Sequence, residues 1–472
     1  MNYEVVVVGG GIGGLTTAAL LAARGMSVCL CERQSGLGGC VANFEHLGYT
    51  FEPTIGLYSG WEPDGIYERI FSELPVDPPE VRRLSPAYTV RLPDHTELAV
   101  SDNPAQFADD LRLAFPECTE AAVGFFRKLA EIGSVETNLA FGSDTTAAHL
   151  TECSERFRRF VDMQLQTFAQ CASEQCSLNL AALALMPPIR GLWAIRGGAQ
   201  ALANTLGDSL RKSGGSLRLN SPVLRLAYGA DGRPIGVDLL SGERVMATRA
   251  IVSNLTTWDT YGKLIGLSRT PPAVSAKLKQ LSAWGAYLVF LGMDEEAAAR
   301  LRSNCVLALT DWQSNQMYEP EQAQFVFAAA PEWDSRAPSG KRAVTVSTFT
   351  RVEDWFAFHQ DETAHEEQDQ ATLESLWSRL HSAMPELVDS VEVIETATPR
   401  VFYESTRRKL GMVGRPCPSP ELPGAEGQFG HLEKTHFPNV FLVGDTASAG
   451  LGMAGVSLSA SALAGTLTGR TL

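Results

Sequence analysis

The chain has 472 residues, 44% of them apolar and 20% charged, which exceeds one ordinary hydrophobic core and excludes a disordered polymer. Its formal net charge of −15 repels polyanions, and no basic cluster overrides that field, so nucleic acid is excluded as a partner. Nine cysteines without a Cys-x-x-Cys pair argue against a disulfide framework and a structural zinc site, and fit a reducing compartment.

Residues 3–8 form a β-branched run ending in the glycine series 9–14; residues 15–24 have helical character and Gly25 stops them. Residues 27–31 read as a second buried strand, giving strand, turn, helix and strand within about 30 residues, the size of a βαβ unit with a parallel sheet. No basic start with a cleavage site precedes the first strand, and no run reaches the roughly 20 apolar residues of a membrane span. A cytoplasmic protein, soluble or peripheral to a membrane, is expected.

From 64 to 200 the pattern is mainly helical, clearest over 107–115, 121–132 and 155–168, with a hairpin arm near 88–92. Residues 183–193, containing Pro187 and Pro188, read as a tunnel wall, a membrane-facing surface or a packed loop. A helix over 200–212, a break at Gly214 and Gly215, an extended 217–219, a strand pair over 223–240 and a strand over 251–253 follow. Residues 284–293 and 342–350 are expected as strands of a second layer, with a helix over 366–384. Residues 440–443 form a last buried strand, Gly444 and Asp445 a turn, and 455–465 a small-residue helix. The simplest arrangement is a cofactor domain built from segments 1–75, 191–270 and 396–472, interrupted by a helical insertion at 76–190 and a substrate domain of sheet and helix at 271–395.

Gly9, Gly11 and Gly14 satisfy Gly-x-Gly-x-x-Gly, with Ile12 and Gly13 between the last two. The first glycine permits the tight turn, the second lets backbone N–H groups approach a pyrophosphate, and the third lets helix and strand pack closely. Helix N-terminal partial charge favours the phosphates, and Glu32 is placed to accept hydrogen bonds from an adenosine ribose. The loop alone does not choose between NAD and FAD.

The combination of this turn with Glu32-Arg33 and Gly38-Gly39 resembles the two-dinucleotide-binding signature of FAD-dependent oxidoreductases. Phe437-Pro438-Asn439-Val440-Phe441-Leu442-Val443-Gly444-Asp445-Thr446, followed by Gly450-Leu451-Gly452-Met453-Ala454-Gly455-Val456, is similar to the closing flavin motif of the phytoene desaturase family. Arg196-Gly197-Gly198-Ala199-Gln200, Val223, 251–254 and 331–342 resemble that family too, and Cys40 after the glycine pair, with Gly48-Tyr49-Thr50-Phe51, resembles its retinol saturase and carotenoid isomerase branch.

The resemblance implies an α/β fold, a Rossmann-like FAD-binding domain with an inserted α+β substrate domain. It implies FAD held at Gly9, Gly11, Ile12, Gly13, Gly14, Glu32, Arg33, Gly38, Gly39, Cys40, Val223, Gly444, Asp445, Gly452, Met453 and Ala454. Val223 would meet the adenine through its backbone, Asp445 the ribityl chain or pyrophosphate edge, and the closing helix would point its N-terminus at the flavin pyrimidine. The implied activity is hydride transfer between flavin N5 and a carbon of a hydrophobic polyene or isoprenoid, with oxygen, a quinone or another electron acceptor. An amine oxidase and a nonenzymatic isoprenoid-binding escort share the fold. The missing Gly-Gly-Arg element and the form of the Gly444 segment weigh against the first, and the intact glycine loop against the second.

Two features depart from the family. Cys40 stands where many relatives carry arginine, removing a charged cofactor contact and leaving a small buried residue, a covalent flavin anchor or a redox thiol as its readings. Glu52-Pro53 stands where an acidic residue and a glycine are usual. The His359–Glu367 stretch lacks His-Glu-x-x-His spacing and reads as a solvated acidic segment; Cys29 and Cys31 read as core, Cys171 and Cys176 as helix residues, and Trp61 and Trp193 as candidate walls of a substrate pocket.

Overall fold

The structure is a computed structural model describing residues 2–133, 144–314, 316–356, 362–414, 435–447 and 451–470. Its first sheet grows from Asn2–Val8, whose four valines are at most 3% exposed because both faces are covered. The alternation of side chains sends Val5 and Val7 into one apolar cluster and Val6 and Val8 into another. Val5 and Val7 meet the helices Ile12–Ala23, Ala199–Lys212 and Gly452–Thr468; Val6 and Val8 meet the hairpin Val223–Tyr228 and Pro234–Leu239 and residues 261–265.

Asn2–Val8 pairs in parallel with Val28–Cys31 on one side and Arg244–Ser253 on the other; Ser216–Arg218 extends the first edge. The other edge of Arg244–Ser253 is shared between two further neighbours. Its first residues pair antiparallel with 236–238, and Ile251, Val252 and Ser253 pair in parallel with Val440, Phe441 and Leu442. Three distant stretches of chain therefore meet at one sheet end.

The second sheet runs in the order Val391–Ala397, Gly285–Asp294, Lys341–Thr350, Gln324–Ala329, Cys305–Leu309, Tyr88–Arg91 and Glu97–Val100. Only the Cys305–Leu309 and Tyr88–Arg91 pair is parallel. Tyr287, Val289 and Leu291 face a cluster containing Leu376 and Leu380 of the helix Glu362–Ala383, while Leu288 and Phe290 face Tyr49 and Phe51. The 88–100 hairpin thus belongs to this sheet, and its other contacts join the helices Pro104–Ala114, Thr119–Gly133, Glu155–Ala169 and Leu178–Arg190 in one core.

Several expectations are corrected. Residues 183–193 are neither loop nor surface: they complete the buried helix Leu178–Arg190, with both prolines inside, and enter the strand Leu192–Ile195. Cys171 and Cys176 sit, buried, in the turn between two helices. The closing helix starts at Gly452, three residues before the expected position, because Leu451 caps it in an extended conformation. Residues 359–361 and Gly450 lie outside the described residues.

Candidate functional site

The opening strand ends at Gly9, whose N–H donates to Cys31 O at 2.9 Å, and the chain turns into the helix with Gly11 as its N-cap. A Cβ on Gly14 would stand 2.3 Å from Gly9 O, so glycine is what lets the helix start against the strand. Gly11 offers no capping side chain, which leaves first-turn N–H groups for an anionic ligand. Glu32 lies beside them. Its Oε2 accepts from Gly10 N at 2.6 Å and its Oε1 from Gln34 N at 2.7 Å; each oxygen retains a lone pair for a ribose hydroxyl.

The Gly38-Gly39 turn, at φ +108° and +60°, is bound to this loop: Gly38 N donates to Gly10 O at 2.9 Å, and a Cβ on Gly39 would lie 3.4 Å from Gly11 Cα. Gln200, from the helix that follows Gly197-Gly198, donates to Leu37 O at 3.0 Å and braces the turn. Cys40 is half-buried here. Burial pushes its thiol above the ordinary range, with Arg408 opposing and Asp445 adding to the shift. That opposes the redox-thiol reading, since the reactive form is the thiolate. Arg33 and Gln34 both donate to Ser405 O, fastening the helix Pro399–Thr406 against the turn.

Asn254 was not singled out as a ligand, yet it is where the elements converge. Its N–H donates to Val8 O at 2.8 Å, and its side chain lies 2.6 Å from a Cβ built on Gly11, 2.8 Å from one on Gly13 and 3.2 Å from one on Gly444. A tight glycine turn with no room for side chains, uncapped N–H donors and an adjacent carboxylate is a cradle that fits a dinucleotide pyrophosphate and ribose. Asp445 follows on this edge and is paired in bidentate fashion with Arg408, Nη1···Oδ1 3.1 Å and Nη2···Oδ2 2.9 Å. Gly452, Met453 and Ala454 form the partly exposed first turn of the closing helix, and a Cβ on Gly60 would come 3.0 Å from that of Ala454. Val223 begins its strand half-buried, opposite Leu239.

Between the sheets lies a buried charge cluster that no short motif signals. Glu52 accepts from Ala199 N at 2.9 Å, at the N-terminus of a helix, and from Arg336 Nη1 at 2.8 Å; Asp334 accepts from Arg336 Nε at 2.7 Å and Gly197 N at 2.8 Å. Burial disfavours the Arg336 charge, but the two carboxylates outweigh it and hold the guanidinium above its ordinary range. The Glu52-Pro53 departure therefore gives a well-ordered carboxylate clamp. A small cleft opens beside it, with Phe51, Leu57, Ala194, Ala329 and Thr345 among its walls. Trp61 and Trp193 are not among them: Trp61 stacks on Tyr67 at 4.3 Å, and Trp193 lies under Arg83. Among the described residues no group of three or more His, Cys, Asp or Glu could hold a metal, and His365 packs against Trp355.

The model of the family described as flavin containing amine oxidoreductase matches residues 12–467. The all-trans-retinol 13,14-reductase of Danio rerio is 25% identical over 84% of this chain and 75% of its own length. The chloroplastic prolycopene isomerase 2 of an Oncidium hybrid cultivar is 24% identical over 97% of this chain and 82% of its own. The solved structure of an oxidoreductase from Methanosarcina mazei superposes with a TM-score of 0.70 at 16% identity, covering 98% and 99% of the two chains, and so shares the fold. With the glycine turn, its carboxylate neighbour and the closing helix assembled as above, this chain belongs to the flavin-containing amine oxidoreductase family and is an FAD-dependent oxidoreductase.

Proposed function

We propose that the substrate is a hydrophobic polyene or other isoprenoid, and that a hydride passes between one of its carbons and the flavin. The observation that carries this is the pairing of a complete dinucleotide cradle with relatives whose names state retinol and prolycopene as substrates. Bound FAD supplies the two-electron hydride chemistry. The N–H groups after Gly11 would hold the pyrophosphate, Glu32 the ribose and Val223 the adenine, with Gly38 and Gly39 bound to that loop and Arg33 beside it. The closing helix has no side chain capping its first turn at Leu451, so the N–H groups of Gly452, Met453 and Ala454 present positive partial charge that favours electron-rich flavin.

The cleft beside Glu52 is walled in part by Phe51, Ile55, Leu57 and Ala194. Such apolar walls would orient a carbon chain by shape and keep water away, which is what an unfunctionalised polyene requires. Among the described residues no helix is long and apolar enough to cross a membrane. Because a polyene partitions into lipid, we place the working enzyme at a membrane surface.

The test is the absorption spectrum of the purified protein under anaerobic conditions, first oxidised and then reduced, on mixing with retinoid or carotenoid and separately with amines. Bleaching of oxidised flavin, or its return from the reduced form, with the polyene alone supports the proposal and gives the direction of transfer. A response to amines alone overturns it in favour of an amine oxidase.

A further inference from the structure

At the wall of the small cleft, Glu52, Thr54 and Tyr58 form a hydrogen-bonded chain with a fixed direction. Glu52 accepts from Arg336 Nη1 at 2.8 Å and from Ala199 N at 2.9 Å, and a carboxylate so engaged can only accept. The Thr54 hydroxyl, 2.9 Å from Glu52 Oε1, therefore donates to it. A threonine carries a single hydroxyl proton, so the 2.7 Å contact between Thr54 Oγ1 and the Tyr58 phenol is made with the proton of Tyr58. The phenol oxygen is left as an acceptor toward anything in the cleft. Thr345, in the same wall, likewise directs its proton away, to Glu52 O at 2.8 Å.

Tyr58 is held firmly in this orientation. Its backbone exchanges two hydrogen bonds with Trp193, at 3.0 and 2.8 Å, and the residue is 6% exposed. It lines the cleft with Thr54 and the apolar Phe51, Ile55, Leu57 and Ala194. Two residues further on, Gly60 packs against Ala454 in the first turn of the closing helix, which sets this wall beside the closing flavin motif. A cleft this small takes the end of a carbon chain and not its length. An end group that meets oxygen lone pairs among apolar walls must bring its own proton: a hydroxyl does, whereas a carbonyl or an ether sets lone pairs against lone pairs.

We propose that Tyr58 is a specificity-determining residue that selects a polyene ending in a hydroxyl group, with Thr54 and Glu52 orienting it as an acceptor. This rests on the polyene reading above.

The experiment measures the dissociation constants of the anaerobic, FAD-loaded protein for all-trans-retinol and all-trans-retinal, an alcohol and an aldehyde of the same carbon skeleton, by quenching of tryptophan fluorescence, with thermal melting of each variant. Wild type is expected to bind the alcohol about fivefold or more tighter than the aldehyde. Tyr58→Phe removes the acceptor and brings the two within about twofold, chiefly by weakening the alcohol. Thr54→Val frees the Tyr58 proton for the cleft and lowers the preference by strengthening the aldehyde, whereas Thr54→Ser keeps the hydroxyl and the wild-type ratio. A merely structural Tyr58 or Thr54 would shift both ligands alike and leave the ratio unchanged; that result overturns the proposal, as does wild type that binds the two equally or the aldehyde more tightly. If Tyr58→Phe does not fold, Thr54→Val decides by the same ratio. Wild type that binds neither ligand overturns the polyene reading itself, and this one with it.

Discussion

The two sheets solve opposite problems. The first is specified by short motifs: a run of valines buried on both faces, glycines whose missing Cβ atoms let helix and strand touch, and an acidic residue 18 positions after Gly14. The second is held to it by charges brought together from far apart, since Glu52 and Arg336 are 284 residues distant in sequence yet 2.8 Å apart in space. Backbone sterics at the glycine turn and buried electrostatics between the layers are therefore separable by mutation.

Arg336→Met should have the largest effect, because it leaves Glu52 and Asp334 as buried carboxylates without their cation. A loss of about 3–5 kcal/mol in urea unfolding is expected, and Glu52→Gln in the same background should restore part of it. No loss would mean that the layers are not joined by charge. Gly14→Ala places a Cβ 2.3 Å from a backbone carbonyl and should cost about 1–3 kcal/mol, with FAD retention reduced while limited proteolysis of the second sheet stays unchanged. Equal damage in both sheets would erase the distinction.

A smaller effect belongs to the edge of the first region. Hydrogen bonds from Arg24, the larger influence, hold the Glu73 carboxyl below its ordinary range against burial. A depressed carboxyl stabilises the fold above its unfolded pKa and loses that contribution as pH falls through its folded value. Denaturant unfolding between pH 7 and pH 3 should therefore show less acid sensitivity in Glu73→Gln, by under about 1 kcal/mol. Cys40 gives a rate instead of a stability: its raised thiol should react with iodoacetamide more slowly than a free cysteine at pH 8, by mass mapping of the alkylated peptide. Rapid alkylation would restore the redox-thiol reading.

What could be read beforehand follows the same division. Asn2–Val8 and the glycine turn were legible because their information is local, as was the hairpin over 223–240. Strands Cys305–Leu309, Gln324–Ala329 and Val391–Ala397 were not identified, since apolar or mixed runs this short do not separate strand from helix until the sheet assembles around them. Residues 183–193 misled because two prolines argue against a helix interior, whereas here they sit in the last turn of a buried helix whose packing outweighs that preference. At the site, Asn254, Arg336 and Arg408 were missed for a common reason: each acts on a group delivered by another segment, and only tertiary folding creates the pairing.

Asn254 also bears on the order in which the site can form. Its side chain lies against Gly11 and Gly13 and against Gly444, more than 400 residues further along the chain, and the strand Val440–Leu442 is laid beside Ile251, Val252 and Ser253. The cradle is closed by contacts of very long sequence separation, which carry a loop-closure cost that the local strand and glycine turn do not, so its last wall is expected to be added late in folding.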